Sequence, residues 1–218
     1  MKGRCLGAVF DLDGTLLDTI DDLADSLNAA LGRLGFPSQS IETCKRFIGY
    51  GNDYLVTHML PREARQPATV AECVAIMQTE YESRMLAKTV PYPGIEEMLA
   101  TLSSKEIALA VLSNKAHSQT VHLVERLLSR WRFVAVRGLL PGTPLKPDPT
   151  VALEIAGLMQ IAPKSIAFVG DTEADMGTAT AAGMYPVGVL WGFRTARELS
   201  GSGAETLIAA PGEILSLV

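Results

Sequence analysis

The sequence predicts an α/β fold: a Rossmann-like, mostly parallel sheet with helices on both faces, plus a small all-helical cap inserted after the first strand. Three observations predict it. Short apolar runs end in polar or glycine-containing turns, stretches with helical apolar spacing separate most of them, and one long interval after the first run holds helical patterns only.

The first run is Cys5 to Phe10. Ile107 to Leu112, Phe133 to Val136, Ser165 to Val169 and Pro186 to Leu190 resemble it, and such continuous apolar runs suit strands buried on both faces. From Asp18 to Val90 the rhythm changes. Leu23, Leu27, Ala30, Leu31 and Leu34 form one helical stripe, and Val70, Cys73, Val74, Met77 and Tyr81 form another. Gly49-Tyr50-Gly51-Asn52 reads as a loop between two shorter helices, and Pro91-Tyr92-Pro93-Gly94 as the turn that closes the insert. The expected division is a core of residues 1–16 and 91–218 and a cap of residues 17–90. Further stripes at Ile95, Met98, Leu99 and Leu102, at Val121, Val124, Leu127 and Leu128, and at Val151, Leu153, Ile155 and Leu158 supply the covering helices. Gly201-Ser202-Gly203 reads as a short flexible loop, and no internal repeat is present.

The 218 residues are 48% hydrophobic and 20% charged, values of an ordinary globular protein. Surface scaling gives a folded area of about 9,700 Å² and burial of about 70% of the extended chain. With 19 Lys and Arg against 24 Asp and Glu, a net charge of −5 and no long basic block, a nucleic-acid partner is disfavoured. Cys5, Cys44 and Cys73 show no CxxC spacing, which suits free thiols in a reducing compartment. Lys2 and Arg4 precede an apolar run too short for a signal peptide, and no window nears the roughly 18 apolar residues of a membrane span. A cytoplasmic protein, monomeric or homodimeric and without a membrane partner, is expected.

The chemistry concentrates at strand ends. Asp11 and Asp13 follow Ala8-Val9-Phe10, and a spacing of two in extended backbone points both carboxylates one way. In open parallel sheets the ligand crevice lies beyond the carboxyl ends of the strands. Two carboxylates about 4 Å apart repel by roughly 4 kcal/mol at an effective dielectric of 20, so a cation or proton must be shared. A second acidic pair, Asp171 and Asp175, stands in Val169-Gly170-Asp171-Thr172-Glu173-Ala174-Asp175, with Asp175 one turn along an opening helix. Converging carboxylates without histidines point to a hard cation, Mg²⁺. Taken singly, Asp175 would read as a first-turn helix residue; two such pairs together read as a metal site.

Two further elements suit a phosphate. Ser113-Asn114 offers a hydroxyl, an amide and backbone N–H groups just past an apolar run, at an expected helix start. Lys146 stands in Lys146-Pro147-Asp148-Pro149, where the prolines stiffen the backbone and fix the position of its charge.

In this order, Asp11-Leu12-Asp13-Gly14-Thr15, Leu112-Ser113-Asn114, Lys146-Pro147-Asp148-Pro149 and Gly170-Asp171-Thr172-Glu173-Ala174-Asp175 resemble the four motifs of the haloacid dehalogenase-like hydrolase superfamily. A helical cap between the first two motifs is similar to the subfamily of phosphoglycolate phosphatases, β-phosphoglucomutases and pyrophosphatases. The Lys-Pro-Asp-Pro turn, Trp191-Gly192-Phe193-Arg194 and the Tyr50-Gly51 loop look most like the phosphoglycolate phosphatases. The resemblance implies a Mg²⁺-dependent phosphomonoester hydrolase acting on a small phosphorylated metabolite. It assigns Asp11 as nucleophile, Asp13 as general acid and base, and Asp11, Asp171 and the Asp13 carbonyl as metal ligands. Ser113 and Lys146 would hold the phosphoryl oxygens, Asn114 would support that loop, and Asp175 would orient Lys146 or a metal-bound water.

Arg46, Tyr50 and Asn52 are the cap candidates for substrate choice, Arg46 as the partner of a substrate carboxylate. Trp191 is expected to pack beneath the catalytic end, and His58, His117 and His122 stand at no metal-ligand spacing. Alternatives on the same fold are a β-phosphoglucomutase-like mutase and a pyrophosphatase. From another class comes a phospho-accepting signalling domain, against which the long insert counts. Gly138 to Pro144 departs from the phosphoglycolate phosphatase pattern by lacking acidic residues.

Overall fold

The computed structural model describes residues 5–218, so Lys2 and Arg4 lie outside the described residues. Along the chain run β1 (Gly7–Phe10), β2 (Leu17–Asp18), α1 (Ile20–Arg33), α2 (Ile41–Lys45), α3 (Asn52–Met59), α4 (Pro67–Arg84), β3 (Val90–Pro91) and α5 (Ile95–Ser104). There follow β4 (Ala108–Ala116), α6 (His117–Leu127), β5 (Ala135–Leu139), α7 (Thr150–Met159), β6 (Ile166–Gly170), α8 (Glu173–Ala182), β7 (Tyr185–Val189), α9 (Ala196–Gly201) and β8 (Thr206–Ile208).

Six strands form one sheet in the order β5-β4-β1-β6-β7-β8, with every pairing parallel. This is the expected α/β architecture. Its cause is visible in the strands themselves. Ala8 and Phe10, Leu109 and Val111, and Ala167 and Val169 pack into one core cluster, while Val9, Ala110, Leu112, Ile166 and Phe168 pack into the other. Both sides of each strand are thus apolar and covered, with α7 and α8 contributing to the second cluster. The accessible surface is 9964 Å², close to the scaling expectation.

The register positions the site. Phe10 pairs with Val111 of β4 on one side and with Val169 of β6 on the other, so β1 and β6 end together while β4 runs on past them to Ala116. From β1 the chain moves outward through β4 and β5, then returns to the far side of β1 at β6. That reversal places the ligand crevice of a doubly wound sheet at the end of β1.

Between β1 and α5 the chain runs through α1 to α4. Leu23, Leu27, Ala30 and Leu31 of α1 and Val70, Cys73, Met77 and Tyr81 of α4 are buried at helical spacing. The two passages joining these helices to the sheet region lie side by side, because β2 and β3 pair antiparallel. Asp22, buried in α1, accepts hydrogen bonds on Oδ2 from Lys88 N, Thr89 N and Thr89 Oγ1, which ties the outgoing passage to the incoming helix. The three cysteines are free and buried. Among the described residues no helix is long and apolar enough to cross a membrane.

Four local expectations need correction. Leu153 and Leu158 of α7 are exposed, and the buried face is Ala152, Ile155, Ala156 and Met159. Ile155 and Met159 supply the bulk of that face and Ala152 and Ala156 fill in beside them, so the leucines fall on the solvent side. Ser113 and Asn114 lie inside β4, which continues to Ala116, and not at a helix start. Gly201 ends α9 and is not part of a free loop. The short strand β8, with Thr206 and Leu207 only half-buried, had no apolar run to reveal it.

Candidate active site

Asp11 leaves β1 with its backbone N–H bonded to Val169 O at 2.9 Å, and its side chain is buried against the end of the sheet. Lys146 Nζ stands 2.9 Å from Asp11 Oδ1, 2.7 Å from Asp175 Oδ1 and 3.1 Å from Leu112 O. The ammonium is thereby fixed among the ends of β1, β4 and β6. Asn114 holds the lysine's own backbone, accepting from Lys146 N at 2.8 Å and donating to Lys146 O at 3.2 Å.

Asp175 is committed twice. Its Oδ2 accepts from Thr172 N at 2.9 Å and Thr172 Oγ1 at 2.6 Å, closing a capping box on α8. Its Oδ1 is the lysine partner, so the cap of α8 also orients Lys146. Asp171 accepts from Thr15 Oγ1 at 3.0 Å and from Phe193 N at 2.8 Å. Glycines let the backbone close around it. A Cβ on Gly14, which has φ +79°, or on Gly192 would overlap the Asp171 side chain. Trp191 Nε1 donates to Thr15 O at 2.9 Å, which places the indole against the loop after β1, as expected.

Oxygens of Asp11, Asp171 and Asp175 lie within 4.8 Å of one another. Three buried carboxylates gather here, one ammonium pairs with two of them, Asp11 and Asp175, and the shortage of positive charge appears in the proton affinities of Asp11 and Asp171. Burial, reinforced by Asp175 and only partly offset by Lys146, pushes Asp11 up to about 7. Burial and then the charges of Asp175 and Asp11 hold Asp171 well above the carboxylate range. An all-oxygen, anionic donor set of this kind fits a hard divalent cation.

Asp13 stands outside that carboxylate group. Its Oδ2 pairs with Lys115 Nζ at 2.8 Å, and its Oδ1 is buried without a hydrogen-bond partner among the described residues. Burial works against the charge of Lys115, but Asp13 and Tyr81 outweigh it and keep its proton affinity above the ordinary value.

A cavity of about 40 Å³ opens between the strand ends and the helices, lined by Asp11, Asp13, Ser113, Asn114 and Lys115 on one side. Opposite are Leu23, Ile48, Gly49, Gly51, Asn52 and Leu55. Of the three cap candidates, Asn52 lines this cavity and the other two do not. Arg46 is exposed, with its carbonyl bonded to Arg194 Nη2, and Tyr50 donates to Glu173. His58 stacks on Phe47, and His117 Nδ1 accepts from Gly138 N, so neither enters the cavity.

Sequence reasoning missed Lys115, Thr15, Glu173 and Arg194. Lys115 had a usable signal: it follows Ser113 by two in extended backbone, the same spacing that joins Asp11 and Asp13.

Residues 8–189 match the family model described as haloacid dehalogenase-like hydrolase. The chain is 32% identical over 187 residues to a phosphoglycolate phosphatase of Mesorhizobium japonicum, covering 85% of this chain and 82% of that protein. It is 30% identical over 215 residues to a phosphoglycolate phosphatase of Thiobacillus denitrificans, covering 96% and 94%. A predicted phosphoglycolate phosphatase from Haemophilus somnus, known by its crystal structure, superposes with a TM-score of 0.90 at 25% identity, covering 98% of each chain.

Proposed function

This chain belongs to the haloacid dehalogenase-like hydrolases and is a phosphatase, and on that premise we propose that it hydrolyses a small phosphorylated hydroxy acid of the 2-phosphoglycolate type with Mg²⁺. The observation that carries the reading is the buried group of Asp11, Asp171 and Asp175 at the end of β1, in which Lys146 pairs with Asp11 and Asp175 and leaves room for one more cation.

Asp11 is the nucleophile. Its carboxylate attacks phosphorus, the bond from phosphorus to the ester oxygen breaks, and Asp13 gives its proton to the departing alcohol. Asp13 then takes a proton from the water that attacks the aspartyl-phosphate, releasing inorganic phosphate and restoring Asp11. Lys146 and Ser113 hold phosphoryl oxygens, Asn114 fixes the loop carrying Lys146, and Asp175 orients the lysine. Asp11, Asp171 and the carbonyl of Asp13 would hold Mg²⁺, which supplies charge that lets an anionic nucleophile meet an anionic ester.

Residues 17–90 act as a cap over this site, and residues 1–16 with 91–218 form the core. The cap contributes apolar walls and Asn52, and it excludes water during transfer.

The test is phosphate release from 2-phosphoglycolate, hexose phosphates, pyrophosphate and an aryl phosphate, with Mg²⁺ and with chelator. Metal-dependent release with 2-phosphoglycolate ahead is expected. Isomerisation of a sugar phosphate without net release, or a protein that only becomes stably phosphorylated, would replace the reading with a mutase or a signalling domain.

A further inference from the structure

We infer that Lys115 selects the substrate by pairing with a carboxylate carried on the carbon next to the ester oxygen. The inference rests on the phosphomonoesterase reading above and concerns which esters that site prefers.

Two lysines are buried at the strand ends, and they serve different places. Lys146 is enclosed by Asp11, Asp175 and Leu112 O, at the position where phosphorus is attacked. Lys115 is the one side-chain cation lining the cavity among the described residues. Its Nζ lies 2.8 Å from Asp13 Oδ2 and 4.4 Å from the ring centroid of Tyr81. An ammonium has three donors, and Asp13 uses one of them.

The distance to Asp13 sets the chemistry. Asp13 serves the leaving oxygen, so a cation beside Asp13 is also beside whatever the leaving oxygen is attached to. In a 2-phosphohydroxy acid one carbon separates the ester oxygen from the carboxylate, which brings that carboxylate to Lys115 while the ester oxygen meets Asp13. A charge-assisted bond of this type is short and strong in a site closed to water.

The opposite wall argues the same way. Leu23, Ile48 and Leu55 offer no hydrogen bonds, and Asn52 is the sole polar side chain the cap contributes to the lining. A sugar's hydroxyls would lose their water there without gaining partners.

The experiment compares kcat/KM for 2-phosphoglycolate, for the amide of that acid and for ethyl phosphate, in wild type, Lys115→Met and Lys115→Arg. Wild type is expected to favour the acid over the amide and over ethyl phosphate by about 10- to 100-fold. Lys115→Met should collapse that preference, and Lys115→Arg should retain most of it. Equal losses on the acid and on ethyl phosphate in Lys115→Met would mean that Lys115 acts only through Asp13, and would overturn the inference. Should Lys115→Met not fold, the wild-type comparison of acid with amide decides alone, and no preference overturns the inference while the phosphatase reading stands. No phosphate release from any ester overturns both.

Discussion

Tyr50 donates its hydroxyl to Glu173 Oε2 at 2.8 Å, so the loop between α2 and α3 is bonded directly to the first turn of α8. Arg194 completes the joint. Its Nε reaches the same carboxylate oxygen at 3.0 Å, while Nη1 donates to Lys45 O and Nη2 to Arg46 O and Ile48 O. The last carbonyls of a helix have no partner inside it. Arg194 satisfies those that follow α2, and its charge suits the negative end of the helix.

Arg194→Ala should therefore loosen the segment between α2 and α3 without dismantling the sheet. Amide exchange over residues 44–52 is expected to accelerate, KM to rise about tenfold, and stability to fall by about 1–3 kcal/mol as charge-assisted bonds are lost. Arg194→Lys should rescue little, since a single ammonium lacks the planar fork that spans several carbonyls. Unchanged exchange there would show that the joint does not hold that segment.

Asp11→Asn should abolish turnover and leave the fold intact. Burial and Asp175 raise the proton affinity of Asp11, so the folded protein prefers a neutral group there. In chelator at pH 8 the variant is expected to melt at or above the wild-type temperature. Ordinary activity in this variant would remove Asp11 from its role as nucleophile.

The same shift gives a pH dependence. An unfolded Asp releases its proton near 3.8, and folded Asp11 does so near 7. Between those values the folded state holds more protons, so the metal-free protein loses stability from this group as pH rises through the interval. A cation competes with those protons. The increase in melting temperature produced by Mg²⁺ should therefore be larger at pH 8 than at pH 6, as thermal denaturation with and without chelator would reveal. An increase that is equal at both pH values counts against a cation at Asp11.

Gly192→Ala tests the closeness of the loops. The added methyl would overlap the Asp171 side chain and Gly14 O, so Asp171 must shift. Overpacking of this kind costs about 1–3 kcal/mol. The Mg²⁺ concentration for half-maximal activity should rise by tenfold or more, while circular dichroism stays that of the wild type.

Much of this was legible in the sequence, for local reasons. The carboxylate pairs, the serine–asparagine step and the stiff lysine turn each carry their chemistry within a few residues, and strand register then gathers them. The apolar runs of β1, β4 and β6 were legible because both their faces are buried. Arg194 was not, since three of its partners are backbone carbonyls 146 to 149 positions away, and carbonyls have no residue-type signature. Ile155 of α7 was legible, but the rest of its buried face was hidden because Ala152, Ala156 and Met159 stand where leucines were expected.

The central place of β1 also bears on how the chain is made. β1 leaves the ribosome before both of its neighbours, and Phe10 must wait for Val111 and then for Val169. At about 5–20 residues per second, roughly a hundred residues take 5–20 s to synthesise. For that time an apolar strand with both edges open is available to other nascent chains or to holdases. On the mechanism proposed above, catalytic competence arrives later still, when β6 delivers Asp171 beside Asp11, and a chain arrested before that point should be inert towards phosphate esters.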